Sequence, residues 1–97
     1  FCANDSLAIG CYKAVQEAML RVPEDISVVG FNDISMTKYL VPPLTTVHVP
    51  MDFMGVEAVN MLAERIYTNR EISMKVSVPA KLVIRESVSR RKDENNI

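Results

Sequence analysis

The polar pairs Asn4-Asp5 and Asn32-Asp33 each follow a short apolar run, "FCA" and "ISVVGF", and His48 lies near the end of a third run, "TTVHV". If these runs are parallel strands, their carboxyl ends meet at one edge of a sheet, where open α/β sheets bind ligands. An Asn side chain offers one acceptor and an amide donor group, whereas an Asp carboxylate offers acceptors only. This set suits a hydroxyl-rich ligand such as a sugar, because each hydroxyl group both donates and accepts.

The same residue types also have a purely architectural use. Asn and Asp are common helix caps and turn formers, since their side chains bond to nearby backbone groups. Each Asn-Asp pair alone is therefore compatible with local architecture. The occurrence of such a pair at the ends of two predicted strands is what suggests a binding site. Residue types and spacing leave both interpretations open.

Other kinds of chemistry find little support in the sequence. Cys2 and Cys11 lie apart without a CxxC motif, which favours two reduced thiols over a disulfide or a metal site. His48 is the only histidine, and no glycine-rich phosphate loop or nucleophile motif is present. We therefore predict no catalytic residue, no metal site and no cofactor. The net charge of -1 argues against a nucleic-acid-binding surface in this part of the chain.

The first two apolar runs are joined by a predicted helix over residues 6–20. Apolar side chains recur there at helical spacing with polar ones opposite them, and Pro23 ends the pattern. The run at residues 26–31 is rich in β-branched residues and almost continuously apolar, which is typical of a parallel strand covered on both faces. Strand, helix and strand in this succession form a βαβ unit.

Further elements follow this unit. Residues 33–40 can hold a helical turn, and a third strand is predicted at residues 45–49. A long amphipathic helix is predicted at residues 52–67, with a methionine-rich apolar stripe that we interpret as core. Two short strands are predicted at residues 76–78 and 82–84. The fold class is therefore α/β, a parallel sheet flanked by helices.

The chain of 97 residues is long enough for one domain or part of one, and its composition is that of a soluble globular protein. It opens on an apolar triplet without an initiator Met, which we interpret as the start of a C-terminal fragment. No apolar run approaches the ~18 residues of a membrane span, and the start lacks the charges of a signal peptide. The final charge run predicts a disordered tail at residues 91–97.

Four separated motifs carry a resemblance to a known family: "CANDSLAIGCYKAV", "RVPEDISVVGFND", "PPLTTV" and "LVIRES". In this order and spacing, the chain resembles the C-terminal third of the LacI/GalR family of bacterial transcription repressors. The resemblance implies an effector domain like a type I periplasmic binding protein, with two lobes and the ligand in the cleft. It also implies a homodimer and an N-terminal helix-turn-helix head outside this chain.

The resemblance further implies how the chain divides between the lobes. Residues 1–49 would belong to the C-terminal lobe. Residues 50–78 would form the crossover helix and a return segment associated with the N-terminal lobe, and residues 79–90 would return to the C-terminal lobe as a strand. A fragment of this kind leaves the apolar stripe of the crossover helix exposed, so we expect the isolated chain to self-associate.

Site residues follow by analogy with the family motifs. Asn4 matches the ligand-contacting Asn of "AND", Asn32 takes the first acidic position of the "GF-D-D" pattern, and Met51 falls where an apolar side chain contacts the ligand. These three are the predicted effector-binding residues. Ile9 and Leu40 match positions of the dimer interface.

Departures from the family pattern carry expectations of their own. Asn32 lacks the charge of the usual Asp, so its hydrogen bonds to a ligand should be about half as strong. Met19 stands where relatives with "GLRVPED" carry Gly, and we expect the helix to end differently there. Asp33 is expected to cap the segment that follows it.

The resemblance implies a sugar-responsive transcriptional repressor in the cytoplasm. Its partners would be a sugar or sugar derivative, operator DNA and a second copy of the chain, with no membrane and no enzymatic activity. A periplasmic or secreted sugar-binding protein of a transport system shares the fold and the strand tips, and is the alternative. A helix-turn-helix head or a signal peptide upstream would discriminate between the two.

Overall fold

The computed structural model describes residues 1–91 of the chain, which divide into two compact units. One unit consists of residues 1–48 together with the described residues from Lys81 onward, and the other consists of residues 49–80. The assignment of these segments to two lobes of a larger domain stays a prediction. The tail predicted at residues 91–97 lies, apart from Arg91, outside the described residues.

Helix α1 (Asp5–Glu17) lies in the first unit, close to its predicted position. Asn4 is its N-cap, because Asn4 Oδ1 accepts a hydrogen bond from the Leu7 N–H at 2.8 Å. This bond satisfies one of the backbone N–H groups that a helix start leaves without a partner. Ala8 and Val15 are the buried apolar residues of the helix and lie on one face, as the helical period predicted.

The C-terminal end of α1 contradicts the expectation attached to Met19. Met19 has a φ of 60°, in the left-handed region. Its N–H donates to the Gln16 carbonyl at 2.9 Å, and the Leu20 N–H donates to the Val15 carbonyl at 3.0 Å, which together form a Schellman motif. The expectation was wrong because these two bonds offset the left-handed strain of a non-glycine residue, about 1–2 kcal/mol.

Strand β1 (Thr46–His48) is part of a small two-stranded sheet. It pairs antiparallel with β2 (Lys81–Val83), in a register that places His48 opposite Lys81. The strands predicted at these two places are therefore present, the first in a shorter form and the second shifted by one residue. The sheet departs from the purely parallel prediction because its last strand runs in the opposite direction.

The first two predicted strands are present as hydrogen-bonded extended segments, with too few ladder bonds to be regular strands. The Cys2 N–H donates to the Val29 carbonyl at 2.8 Å. Isolated parallel bridges join Val29 to Thr45 and Asn32 to His48. The parallel arrangement of the second and third predicted strands is thus confirmed.

Two shorter predictions have opposite outcomes. The helical turn expected within residues 33–40 is a 3-10 helix (Ser35–Tyr39). Residues 76–78, predicted as a strand, form none. The unit at residues 49–80 contains one helix and no strand with which they could pair, and Val76 is half exposed. Their β-branched composition therefore has no ladder to join.

The core of the first unit is small. Ala8, Val28 and Leu44 are buried against one another. Five partly buried residues pack around this cluster: Cys2, Cys11, Tyr12, Val22 and Leu40. Both cysteines are free thiols, and burial raises the pKa of the Cys2 thiol, which keeps it in its unreactive protonated form.

Helix α2 (Met51–Thr68) belongs to the second unit and matches the predicted long helix. It ends at Asn69, whose φ of 52° is left-handed. None of its residues is buried, and eight large apolar ones are well exposed: Met51, Phe53, Met54, Val56, Val59, Leu62, Ile66 and Tyr67. The apolar stripe therefore has no apolar cover within its own unit. No helix of the described residues combines the length and apolar character needed to cross a membrane.

We predict that Met19→Gly stabilises the protein. Glycine reaches a φ of 60° without steric cost, and little burial is lost because the Met19 side chain is 89% exposed. Part of the gain is cancelled by the greater freedom of glycine in the unfolded chain, so the free energy of unfolding should rise by about 0.5–1 kcal/mol in a denaturant titration.

The matched control is Ala18→Gly at the preceding position, where φ is −80°. No left-handed strain is relieved there, so this variant should lower the free energy of unfolding by about 0.5–1 kcal/mol. A loss of stability in both variants would show that Met19 is not strained.

Candidate functional site

The Asp5 carboxylate is completely buried and joins three segments of the chain. Its Oδ1 accepts a hydrogen bond from the Thr46 hydroxyl at 2.7 Å, and its Oδ2 accepts one from the Ile34 N–H at 2.8 Å. The Asp5 N–H donates to the Phe31 carbonyl at 3.1 Å. A buried carboxylate is tolerated only when it is hydrogen-bonded in this way. Asp5 thus ties the start of α1 to the end of the second strand segment and to the first residue of β1.

Gly30 makes room for this carboxylate. A Cβ atom at position 30 would collide with Asp5 Oδ1 and would lie 2.9 Å from Leu44 Cδ2. Any side chain here would therefore displace either the buried carboxylate or the core. The close approach explains why the apolar run "ISVVGF" contains a glycine.

The backbone is strained where the second strand segment ends. Asn32 has a φ of 113° and Asp33 a φ of 61°, two successive non-glycine residues at positive φ. Two hydrogen bonds hold this shape: the Asn32 N–H donates to the Val47 carbonyl at 2.8 Å, and the Ile34 N–H donates to Asp5. Such strain, about 1–3 kcal/mol per residue, persists where the surroundings enforce it and clusters at binding sites.

The Asp33 carboxylate interacts with three side chains. Its Oδ1 accepts hydrogen bonds from Arg85 Nη2 at 2.8 Å and from Thr37 Oγ1 at 3.0 Å, and its Oδ2 lies 3.0 Å from His48 Nδ1. The expectation that Asp33 caps the next segment is wrong, since the 3-10 helix has no side-chain cap. The guanidinium group of Arg85 is a stronger partner for Asp33 than a backbone N–H, because the guanidinium and the carboxylate carry opposite charges.

Burial alone would raise the pKa of the Asp33 carboxyl. Hydrogen bonds from Arg85, His48 and Thr37, together with the charge of Arg85, outweigh this effect and hold the pKa below its usual range. The side chains of Asp33 and Arg85 are only 16% and 18% exposed, so solvent and salt screen this ion pair weakly. Arg85 is the residue that the sequence analysis missed, although it lies in the motif "LVIRES".

Asn4 and Asn32 retain amide groups for a ligand. Asn4 Oδ1 accepts from the Leu7 N–H, but the Asn4 amide nitrogen donates to no group among residues 1–91. The side chain of Asn32 also makes no hydrogen bond within this part of the chain. Both residues are partly buried at the ends of hydrogen-bonded strand segments. Their free amide groups are the kind that hydroxyl groups of a ligand can pair with.

The other predicted site residues lie elsewhere. Met51, the third predicted effector-binding residue, is the first residue of α2 in the second unit and is 51% exposed. Leu40 packs against the core cluster, and Ile9 lines an open surface cavity with Val41. The dimer-interface roles of Ile9 and Leu40 stay predictions, as does the effector-binding role of Met51.

Comparison with known proteins identifies the family. Residues 1–88 match the periplasmic binding protein-like domain. The chain is 44% identical over 88 residues to the lactose operon repressor of Rhizobium radiobacter, covering 91% of this chain and 77% of that repressor. The chain belongs to the LacI/GalR family. The resemblance carried by the four motifs and the periplasmic-binding-protein-like fold class are thereby confirmed.

Solved structures of the LacI family agree with this assignment. A LacI family transcriptional regulator from Enterococcus faecalis V583 with bound ribose matches with a TM-score of 0.87 and 34% identity, over 92% of this chain and 33% of that chain. The lac repressor dimer bound to operator and the anti-inducer ONPF matches with a TM-score of 0.80 and 34% identity, over 89% and 30%. The chain thus spans about a third of these regulators. Their names do not favour the transport-protein alternative.

We predict that Gly30→Ala destabilises the protein by about 1–3 kcal/mol, because the added methyl group overpacks the core beside a buried charge. Gly10→Ala in α1 is the matched control. A Cβ atom at position 10 meets no atom within 4 Å, so the alanine should instead stabilise the helix by about 0.5–1 kcal/mol. Chemical denaturation measures both, and a neutral Gly30→Ala would contradict the close packing on Asp5.

We also predict that Asp33→Asn lowers the free energy of unfolding by an amount that depends on pH. The folded-state pKa of Asp33 is lowered, so its stabilisation is fully present above the unfolded-state pKa near 4 and is lost as pH falls through the lower folded value. At pH 7 the variant should lose about 1.5–3 kcal/mol, and the difference from the wild type should shrink below about pH 4.

Glu64→Gln is the control for this experiment. It breaks the ion pair with Arg70, in which the Glu64 side chain is 48% exposed, and should cost less than about 1 kcal/mol. Urea titrations at several pH values give the free energies of unfolding. A deficit of Asp33→Asn that is constant from neutral to strongly acidic pH would contradict the ion-pair explanation.

Proposed function

We propose that this chain is the C-terminal part of the effector-binding and dimerisation domain of a sugar-responsive transcriptional repressor. The observation that supports it most is that the Asn4 amide nitrogen and the Asn32 side-chain amide are free at the strand ends, in a chain of the LacI/GalR family. Met51 would contribute an apolar contact to the same ligand. The ribose-bound regulator of E. faecalis supports a sugar as the class of effector.

The electrostatics of the strand ends favour a neutral ligand over an anionic one. Arg85 is the cation beside Asn32-Asp33, and both of its terminal nitrogens are already engaged: Nη2 with Asp33, and Nη1 with the Thr37 hydroxyl and the Leu44 carbonyl. An anionic ligand would have to compete with these bonds. A neutral sugar needs only amide donors and acceptors, which Asn32 and Asn4 offer.

Effector binding would act by shifting a population. A ligand that binds one arrangement of the domain better than another favours it by the difference in binding free energy, and the dimer carries this difference to the DNA-binding heads. Operator DNA and a second copy of the chain are the proposed macromolecular partners. The lac repressor dimer bound to operator supports both.

The remaining features of the proposal rest on the same relatives. The protein would work in the cytoplasm, without a cofactor or metal and without enzymatic activity, as the lactose operon repressor suggests by its name. Residues 1–49 and 79–90 would form part of the C-terminal lobe, and residues 50–78 would associate with the N-terminal lobe. The break between the two units after His48 and before Lys81 supports this division.

The test uses the intact protein, because a fragment lacks much of the cleft. D-ribose, lactose and adenine are compared by thermal shift and calorimetry, and operator binding is measured with and without each compound. We expect a sugar to bind and to change the operator affinity. If adenine alone binds, the proposed effector is a purine and not a sugar. Operator binding that no compound alters would refute the proposal.

Asn32→Gly tests the contact itself. Glycine accepts a φ of 113° and removes the amide group, so the backbone can stay while the ligand contact is lost. We expect the affinity for the bound sugar to fall about tenfold, the value of one hydrogen bond of about 1.4 kcal/mol. Asn60→Ala, at an exposed position of α2, is the control and should leave the affinity unchanged. Equal affinities in both variants would exclude Asn32 from the site.

A further inference from the structure

The Asp33 carboxylate interacts with two residues of the first unit, one just before the chain leaves it and one shortly after the chain returns. His48 ends β1 and is followed directly by the unit at residues 49–80, and Arg85 lies two residues beyond the end of β2, where the chain has returned. Asp33 Oδ2 lies 3.0 Å from His48 Nδ1, and Asp33 Oδ1 lies 2.8 Å from Arg85 Nη2. One side chain therefore joins the segment before the outgoing connection to the segment after the returning one.

Backbone pairing holds these segments over a short length only. The antiparallel pairing of β1 and β2 extends over three residue pairs, and single parallel bridges, such as that between Asn32 and His48, join β1 to the second strand segment. The Asp33 interactions add restraint at the outer end of β1 and just beyond β2. Because Asp33 and Arg85 are mostly buried, their bond persists at physiological ionic strength.

The sequence separation sets this network apart from the other ion pairs of residues 1–91. The pairs Arg21–Asp25 and Arg70–Glu64 join residues four and six positions apart and stabilise local structure. Asp33 joins residues 15 and 52 positions away. Such long-range bonds constrain how distant segments are arranged, which local pairs cannot do.

The strained backbone connects this network to the candidate effector site. Asn32 and Asp33 share one peptide group, and both have positive φ. The Asp33 side-chain bonds help to enforce that strain, because they fix the direction of its side chain. A ligand that fixes the Asn32 amide therefore acts on the Asp33 carboxylate through a backbone with little freedom.

We infer that Asp33 is a positioning residue that couples the effector site to both connections with the unit at residues 49–80. The inference rests on the proposed function. Asp33 acts through His48 and Arg85 and does not itself contact the effector. When the effector fixes Asn32, the carboxylate holds both connections in one arrangement, and this arrangement changes operator affinity.

The test compares the intact wild type with Asp33→Asn and with the control Glu64→Gln. The probe is whichever of D-ribose, lactose and adenine raises the melting temperature of the wild type most. The DNA is the tightest-binding duplex recovered from a random-sequence pool. Three quantities are measured: the operator Kd without probe, the operator Kd with saturating probe, and the probe Kd of the DNA-free protein.

In the wild type, the probe changes the operator Kd by some factor. We expect this factor to be about tenfold smaller in Asp33→Asn, so that the ratio of the Kd values with and without probe lies closer to one; a change of this size is within the usual range of allosteric coupling. The probe Kd of the DNA-free variant should stay within about threefold of the wild type, since Asp33 makes no ligand contact. Glu64→Gln should match the wild type in all three quantities. This split between lost coupling and retained binding is what a merely structural residue would not produce.

Other outcomes overturn the inference in distinguishable ways. An unchanged ratio in Asp33→Asn, with or without a lower melting temperature, would overturn it and leave the proposed function standing. A wild type without any probe-dependent operator binding would overturn the proposed function, and the inference with it. If Asp33→Asn does not fold, His48→Ala decides, because the His48 side chain is 50% exposed and can be removed without opening the core. An unchanged ratio in that variant overturns the inference, and a ratio closer to one supports it.

Discussion

The rest of the first unit depends on a carboxylate that has no contact with water. Asp5 stands where an apolar side chain would be expected, yet it is 0% exposed and receives hydrogen bonds from a threonine hydroxyl and a backbone N–H. Removing either donor would leave a buried charge underpaired, which typically costs several kcal/mol. The carboxylate therefore fixes the distance between α1 and the segment ends around Ile34 and Thr46. Gly30 is required by the same constraint, because a side chain there would occupy the space of the carboxylate.

Asp5 and Asp33 lie on either side of the same strand end and have different tasks. Asp5 holds the backbone after Asn32-Asp33 from inside the core, through the Ile34 N–H. Asp33 holds it from the partly exposed side, through Arg85 and His48. Asn32 directly precedes these two anchored residues, Asp33 and Ile34, and its own side-chain amide is free. The polar pair at the end of "ISVVGF" is thus both architecture and candidate site, and the two interpretations of the sequence are not exclusive.

The sequence predicted the parts of this arrangement that depend on neighbours along the chain. Helical spacing located α1 and α2, and the motif "GFND" drew attention to Asn32 and Asp33. Side-chain pairing over long separations was not predicted, since the partner of Asp33 is Arg85, 52 positions away. Residues 76–78 have strand-like composition but no partner strand in their unit. At Met19 a local rule was misleading. The left-handed conformation that favours glycine is kept by a methionine, because two hydrogen bonds of the Schellman motif stabilise it.

Asn at position 32 meets two requirements at once. At a φ of 113° the backbone excludes most side chains, and Asn is among the non-glycine residues that tolerate positive φ best. A second carboxylate here would place another negative charge on the residue next to Asp33, and like charges this close together repel. A neutral amide adds no such charge and still offers a donor and an acceptor to a ligand. The weaker hydrogen bond expected to the effector is therefore accompanied by less charge repulsion at the strand end.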